Sequence, residues 1–162
     1  MNISELLLAE FRREAEMTRK VLERVPSDHF SWKPHAKSMS LGQLALHTAG
    51  MIGGVAELFD ARIREVPVVP LPEATSVDEI LTTLKQQTAV AESKLIAWGE
   101  AGLQETVRIT NQGATMLEAP RYILVRSILF NHWVHHRAQL TVYLRMLDVP
   151  VPALYGPSAD EM

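Results

Sequence analysis

Apolar residues recur along most of the chain at the spacing of a helix face rather than of a strand. Leu7, Phe11, Thr18, Val21, Leu22 and Val25 form the first stripe, opened by the capping-box pattern Asn2-x-x-Glu5 and ended by Pro26. A second box, Ser40-x-x-Gln43, opens a run to about Arg64 with Leu44, His47, Thr48, Met51, Val55, Leu58 and Phe59 along one face. Val66–Pro72 holds three prolines and no helical period, so it reads as an extended linker. The third helix begins near Ser76-x-x-Glu79, carries Ile80, Leu84, Thr88, Ala91, Leu95 and Trp98, and stops at Gly99 or Gly102. The last takes Pro120 in its first turn and runs to about Asp148, where Val149-Pro150 stops it. Between them, Thr106–Glu118 is Thr/Val/Ile-rich around Asn111-Gln112-Gly113 and suits a small hairpin or irregular arm.

This order predicts an all-α fold: a four-helix bundle with one long crossover between helices 2 and 3 and a small hairpin near 106–118. The long connection permits parallel neighbours, so a simple up-down-up-down order does not follow. Residues 1–162 read as a single domain, with 149–162 as an irregular surface tail.

Composition narrows the chemistry. The 162 residues include six histidines and no cysteine, which removes disulfides, thiolate metal sites and a cysteine nucleophile. Any metal would be held by nitrogen and oxygen. The net charge of −3 comes from 16 basic and 19 acidic side chains scattered along the chain. The densest basic run, Arg12-Arg13 with Arg19-Lys20, is interleaved with Glu10, Glu14 and Glu16 and reads as a solvated helix face. Nucleic-acid binding is therefore disfavoured. No secretory layout is present at the N-terminus, and Leu41–Phe59 fits a buried bundle helix better than a membrane span. The expectation is a cytoplasmic protein acting on a small molecule, without nucleic-acid or membrane partners.

The candidate chemistry lies in Asn131-His132-Trp133-Val134-His135-His136-Arg137 of the last helix. At about 100° per residue, His132 and His136 project roughly 40° apart and share a stripe with Val125, Leu129, Gln139, Tyr143 and Leu147. His47 faces the core from the second helix, with Gly50, Gly53 and Gly54 nearby to admit a neighbouring helix or leave space for a ligand. Three neutral imidazoles can hold a divalent ion while leaving coordination positions open. The competing reading makes them hydrogen-bonded core residues. His29 and His35 read as exposed loop residues, and His135 as a flanking or packing residue. Arg137 reads as a surface ion pair, Tyr143 as a core ring whose hydroxyl is a candidate proton donor, and Glu57 as an exposed or capping charge. Trp133 reads as packing, with a subunit interface as one place for it.

The segment Ser31-Trp32-Lys33-Pro34-His35-Ala36-Lys37-Ser38-Met39-Ser40-Leu41-Gly42-Gln43-Leu44, continuing to His47, resembles the DinB-like (DinB/YfiT) superfamily of metal-dependent bundle proteins. So does Asn131-His132-x-x-His135-His136-Arg137-Ala138-Gln139-Leu140, followed by Tyr143-Leu144-Arg145. The tail from Val149 to Glu161 is similar to one branch of that group. The resemblance implies up-down-down-up helix order and metal ligands at His47, His132 and His136. It also implies zinc or nickel as the ion, a homodimer, and activities that include thiol-dependent S-transfer and maleylpyruvate isomerisation with a low-molecular-weight thiol cosubstrate. Ala138 stands where many relatives carry glycine; both are small. Three functional classes follow: a thiol-dependent transferase, a metal-dependent hydrolase, and a non-catalytic metal-binding stress-response protein.

Overall fold

A computed structural model of the chain describes residues 2–68 and 70–161. Its body is four helices: α1 (Ile3–Leu22), α2 (Leu41–Asp60), α3 (Val77–Gln104) and α4. The last opens at Arg121–Leu124, widens into a π-helical stretch at Val125–Phe130 and continues as Asn131–Met146. Side chains start the first three. Asn2 accepts from the Glu5 amide at 2.9 Å while the Glu5 carboxylate accepts from the Asn2 amide at 3.2 Å. Ser40 and Gln43 form the same reciprocal box, and Ser76 accepts from the Glu79 amide at 3.0 Å.

The all-α expectation is overturned by a three-stranded sheet in the order β1 (Ile63–Glu65), β2 (Thr106–Asn111), β3 (Ala114–Pro120). β2 and β3 form an antiparallel hairpin from Thr106↔Pro120 to Asn111↔Ala114. Gln112 (φ 51°) and Gly113 (φ 79°) supply the two left-handed residues that a tight hairpin turn demands. β1 adds to β2 in parallel, Ile63 opposite Arg108, which makes the sheet mixed. Ile63 to Arg64 therefore belongs to a strand and not to the end of α2. Tertiary contacts explain the early stop. The Asp60 carboxylate is taken by Lys94 Nζ at 2.6 Å and Trp98 Nε1 at 2.9 Å, and Arg121 Nε donates to the Phe59 carbonyl at 2.8 Å. Arg121 also donates to the Gly102 carbonyl and lies 5.0 Å from the centre of the Trp98 ring. One buried guanidinium thus caps the C-terminal ends of both α2 and α3. Of the expected 66–72 linker, Val69 lies outside the described residues, as do Met1 and Met162 at the ends.

Those shared contacts place the C-termini of α2 and α3 at one end, so the two helices run parallel. The Ser4 amide donates to Glu100 at 3.1 Å, which sets α1 antiparallel to α3. Arg126 pairs with Glu10 at 3.4 Å and Arg137 with Glu14 at 2.6 Å, which sets α4 parallel to α1. At the α2–α3 contact a Cβ on Gly53 would collide with the Gln87 side chain and lie 3.3 Å from the Gln87 Cα. α3 breaks at Gly99 (φ 53°), the first of the two stops its sequence suggests, and one further turn carries it to Gln104. Among the described residues, no helix is long and apolar enough to cross a membrane.

The buried face of α4 is wider than the stripe that its sequence suggests: Val125, Leu129, His136 and Tyr143 of that stripe are buried as expected. Phe130, Trp133, Arg137, Leu140 and Leu144 are almost wholly enclosed, whereas His132 is exposed. Trp133 is 1% exposed, stacks on Phe11 and donates its Nε1–H to the Thr48 carbonyl at 2.9 Å, so it belongs to the core of this chain and not to a subunit interface. Arg137 is likewise no surface ion pair, and Glu14 is not on a solvated face. Their mutual neutralisation lets two charged side chains occupy the core.

Candidate metal centre

α2 contributes His47 and the C-terminal part of α4 contributes His132 and His136. The Trp133–Thr48 hydrogen bond joins residues immediately following two of these histidines, so it holds the helices in register at the level of the centre. One ring nitrogen from each histidine lies within 4.8 Å of the other two. The ring centres stand 4.5 Å apart for His132 and His136, 4.7 Å for His47 and His136, and 6.0 Å for His47 and His132. Nε2 of His136 is 2.7 Å from Nε2 of His132. Nitrogens bound to one tetrahedral zinc ion stand about 3.3 Å apart, so a small separation of this pair accommodates an ion. The three residues are graded in depth: His136 buried, His47 half-buried, His132 exposed. The centre is therefore reachable from solvent.

Burial sets the protonation state. It pushes the His136 imidazole down to about 4, helped by its histidine neighbours and opposed by the Gln139 hydrogen bond. Burial also lowers His47, with His132 beside it, and His132, with His135 beside it. All three are thus neutral near pH 7 and present lone pairs. Because the folded values lie below the unfolded one, acid favours the unfolded chain. The stability from neutral burial is complete above the ordinary value of 6.5 and is lost as pH falls toward about 4. In chelator, the wild type is expected to lose more stability between about pH 7.5 and about pH 5 than a His136→Ala variant. Equal losses in urea titrations at the two pH values would contradict this assignment.

Gln139 is the residue that sequence reasoning did not single out. Its Oε1 accepts from the Nδ1–H of His136 at 2.8 Å, which leaves Nε2 as the lone-pair nitrogen facing the other histidines. The signal was present as a glutamine three residues after a core-facing histidine, one turn along the same face. A Gln139→Leu variant is expected to fold normally and to bind a divalent ion about 10- to 100-fold more weakly in competition with a chromophoric chelator. Unchanged affinity would remove Gln139 from the centre.

The remaining candidates do not converge. His135 is exposed, its ring 5.1 Å from that of His136. His29 lies beside Asp28 and His35 accepts from the Lys37 amide, both in the exposed α1–α2 connection. Glu57 is exposed and lines an adjoining cleft whose walls do not include the histidines. Tyr143 is a core ring packed edge-on to Trp32, and its hydroxyl donates to the Met39 carbonyl at 3.3 Å rather than toward the histidines.

The DinB family description matches residues 1–162. The chain belongs to the DinB family. The uncharacterized protein YrdA of Bacillus subtilis is 28% identical over 149 residues, spanning 91% of this chain and 85% of that protein. Two crystal structures of DinB-like proteins share the fold. One, from Bacillus cereus, has a TM-score of 0.74 at 23% identity, covering 93% of this chain and 97% of the other. The second, YjoA of Bacillus subtilis, has a TM-score of 0.72 at 21% identity, covering 92% and 97%. DinB membership and the three-histidine cluster are together compatible with metal binding.

Proposed function

We propose that this DinB protein is a metal-dependent enzyme in which His47, His132 and His136 hold a divalent ion, zinc or nickel. The observation that carries the proposal is a donor set of three neutral imidazoles with nitrogens within 4.8 Å of one another. Among the described residues no cysteine or carboxylate joins them, so three protein ligands leave a position for an exogenous one, as in catalytic rather than structural zinc sites. When bound, the ion supplies Lewis acidity that lowers the pKa of a thiol or water placed in that position. The chain's own residues do the rest. Gln139 fixes the His136 tautomer, Trp133 holds α4 against α2, and the exposed flank of His132 admits the reactant.

The favoured reaction is thiol-dependent S-transfer to a small electrophile. The thiol sulfur forms a bond to carbon, the carbon's leaving group departs with its electron pair, and the thiol proton passes to solvent. The chain has no cysteine, so the sulfur arrives with a low-molecular-weight cosubstrate. Hydrolysis would use water at the same position, but among the described residues no carboxylate stands within the cluster to act as its base. The proposal includes a homodimer, supported by Val142 and Met146, which leave apolar side chains 57% and 55% exposed on the outer face of α4.

The test is turnover of 1-chloro-2,4-dinitrobenzene by zinc- or nickel-loaded protein with glutathione, cysteine or coenzyme A. Chloride release that requires both metal and thiol, and that disappears in His132→Ala, supports the transferase. Metal uptake without turnover, and with no spectral response of the cobalt form to any thiol, supports a non-catalytic metal-binding protein instead.

A further inference from the structure

We infer that the substrate of this centre carries an apolar body without negative charge that lies beside the histidines between α2 and the α2–α3 connection. The inference rests on the metal reading above. A cavity of about 510 Å³ opens there, with His47 and His132 in its wall. That volume falls within the range of about 300–1,000 Å³ typical of small-molecule sites. Leu46, Val55 and Leu58 of α2 form one side; Val66, Pro67 and Leu71 of the connection form another.

The polar groups that reach this space are few and mostly committed. Gln43 accepts from the Ser40 amide at 3.1 Å and donates to the Leu71 carbonyl at 3.0 Å. The Glu79 carboxylate accepts from the Thr75 amide at 2.6 Å and the Thr75 hydroxyl at 2.7 Å. Among the described lining residues Thr83 is the one that carries a hydroxyl. None of the lining residues is lysine or arginine. A carboxylate or phosphate placed in the cavity would therefore lose its water without a cation in the wall and would face Glu79. The nearest basic groups are Arg64 and the Asp60-bound Lys94 of the adjoining cleft. Gly54 keeps part of the space clear: a Cβ built there meets no atom within 4 Å.

Polarity thus divides the site, with imidazoles at one pole and mainly aliphatic side chains and proline rings over the remainder. A ligand matched to both presents its reacting or metal-binding head to His47 and His132 and its apolar body to the cavity. Charged groups of a cosubstrate fall on the solvent side, beside His132 and His135.

The experiment is a chain-length series of alkyl hydroxamates, from acetohydroxamate to octanohydroxamate, titrated into cobalt-loaded protein and followed by the visible spectrum of the ion. A hydroxamate of suberic acid that ends in a carboxylate serves as the charged-tail control. Affinity is expected to rise about fourfold per methylene, equivalent to ~0.8 kcal/mol each, over the first several methylenes. The terminal carboxylate is expected to erase most of that gain, and Gly54→Leu, which fills the space, to flatten the series. Affinity that does not vary with chain length, or a charged tail that binds as tightly as the alkyl one, overturns the inference while leaving the metal reading intact whenever acetohydroxamate still shifts the spectrum. Protein that takes up no cobalt overturns the metal reading, and this inference with it.

Discussion

Replacing His136 with alanine is expected to weaken divalent metal binding by at least about a hundredfold while the metal-free protein still folds. Structural zinc sites with four ligands release about 10–16 kcal/mol, or roughly 3 kcal/mol per ligand, which is a factor of about a hundred or more in affinity. His132→Ala should do the same, and His47→Ala likewise, because the three nitrogens within 4.8 Å act as one set. The two α4 variants differ in what else they disturb. His132 is exposed, so its removal leaves little void, whereas His136 is 6% exposed and donates to Gln139. Thermal unfolding in chelator, measured beside metal affinity, separates ligation from packing. If the imidazoles were only hydrogen-bonded core residues, His136→Ala would lower stability in chelator and change no metal affinity, because there would be none to change.

The second large effect is on stability and lies one residue further along the helix. Arg137→Ala is expected to destabilise the protein by about 3–5 kcal/mol, lowering Tm by about 6–20 °C for a chain of this size. Arg137 is 1% exposed and Glu14 is 2% exposed. The guanidinium donates to the Glu14 carboxylate at 2.6 Å, to the Glu14 carbonyl at 3.0 Å and to the Thr18 hydroxyl at 3.2 Å. Tyr155 of the C-terminal tail closes the group: its hydroxyl donates to Glu14 at 2.6 Å, and its ring lies 5.2 Å from the guanidinium carbon. Truncating either charge strands the other in the core. The double replacement Glu14→Leu with Arg137→Met removes both desolvation penalties and is expected to lie closer to wild type than either single variant. Calorimetry of the three variants decides this; additive losses in the double variant would contradict a coupled buried pair. The metal affinity of Arg137→Ala, measured below its Tm, is expected to stay far above that of His136→Ala.

What the sequence made legible was local. The boxes Asn2/Glu5 and Ser40/Gln43 start α1 and α2 as their residue types predict, because such caps involve groups three residues apart. The β2–β3 hairpin was visible in Gln112-Gly113, where two left-handed residues join two β-rich runs. The histidines were legible for the same reason. Their i, i+4 spacing lies wholly in the regular part of α4, beyond the π-helical turn, so local phase places His132 beside His136 whatever happens upstream.

Features set by distant partners stayed hidden. Ile63-Arg64-Glu65 carries no strand signal of its own and becomes one by pairing with β2, more than forty residues away. The end of α2 depends on Lys94, Trp98 and Arg121. Arg137 looked like a surface charge because its partner stands 123 positions earlier in the chain. The stripe through Val125, Leu129, His136 and Tyr143 is buried as its phase predicts, but the enclosed face extends round the helix to Trp133 and Arg137, and His132 stands at its exposed edge. The correction matters for function. A fully buried trio would suit a closed structural site, and a trio at the rim suits one that exchanges ligands with solvent.

X-ray absorption at the metal edge of the wild-type protein loaded with one equivalent of zinc tests that account most directly. The expected first shell contains three imidazole nitrogens at about 2.0–2.1 Å and at least one further light atom, replaced by sulfur when a small thiol is added. A shell closed by four protein ligands and indifferent to added thiol would contradict an open catalytic centre. A protein that retains no stoichiometric metal would contradict the centre itself.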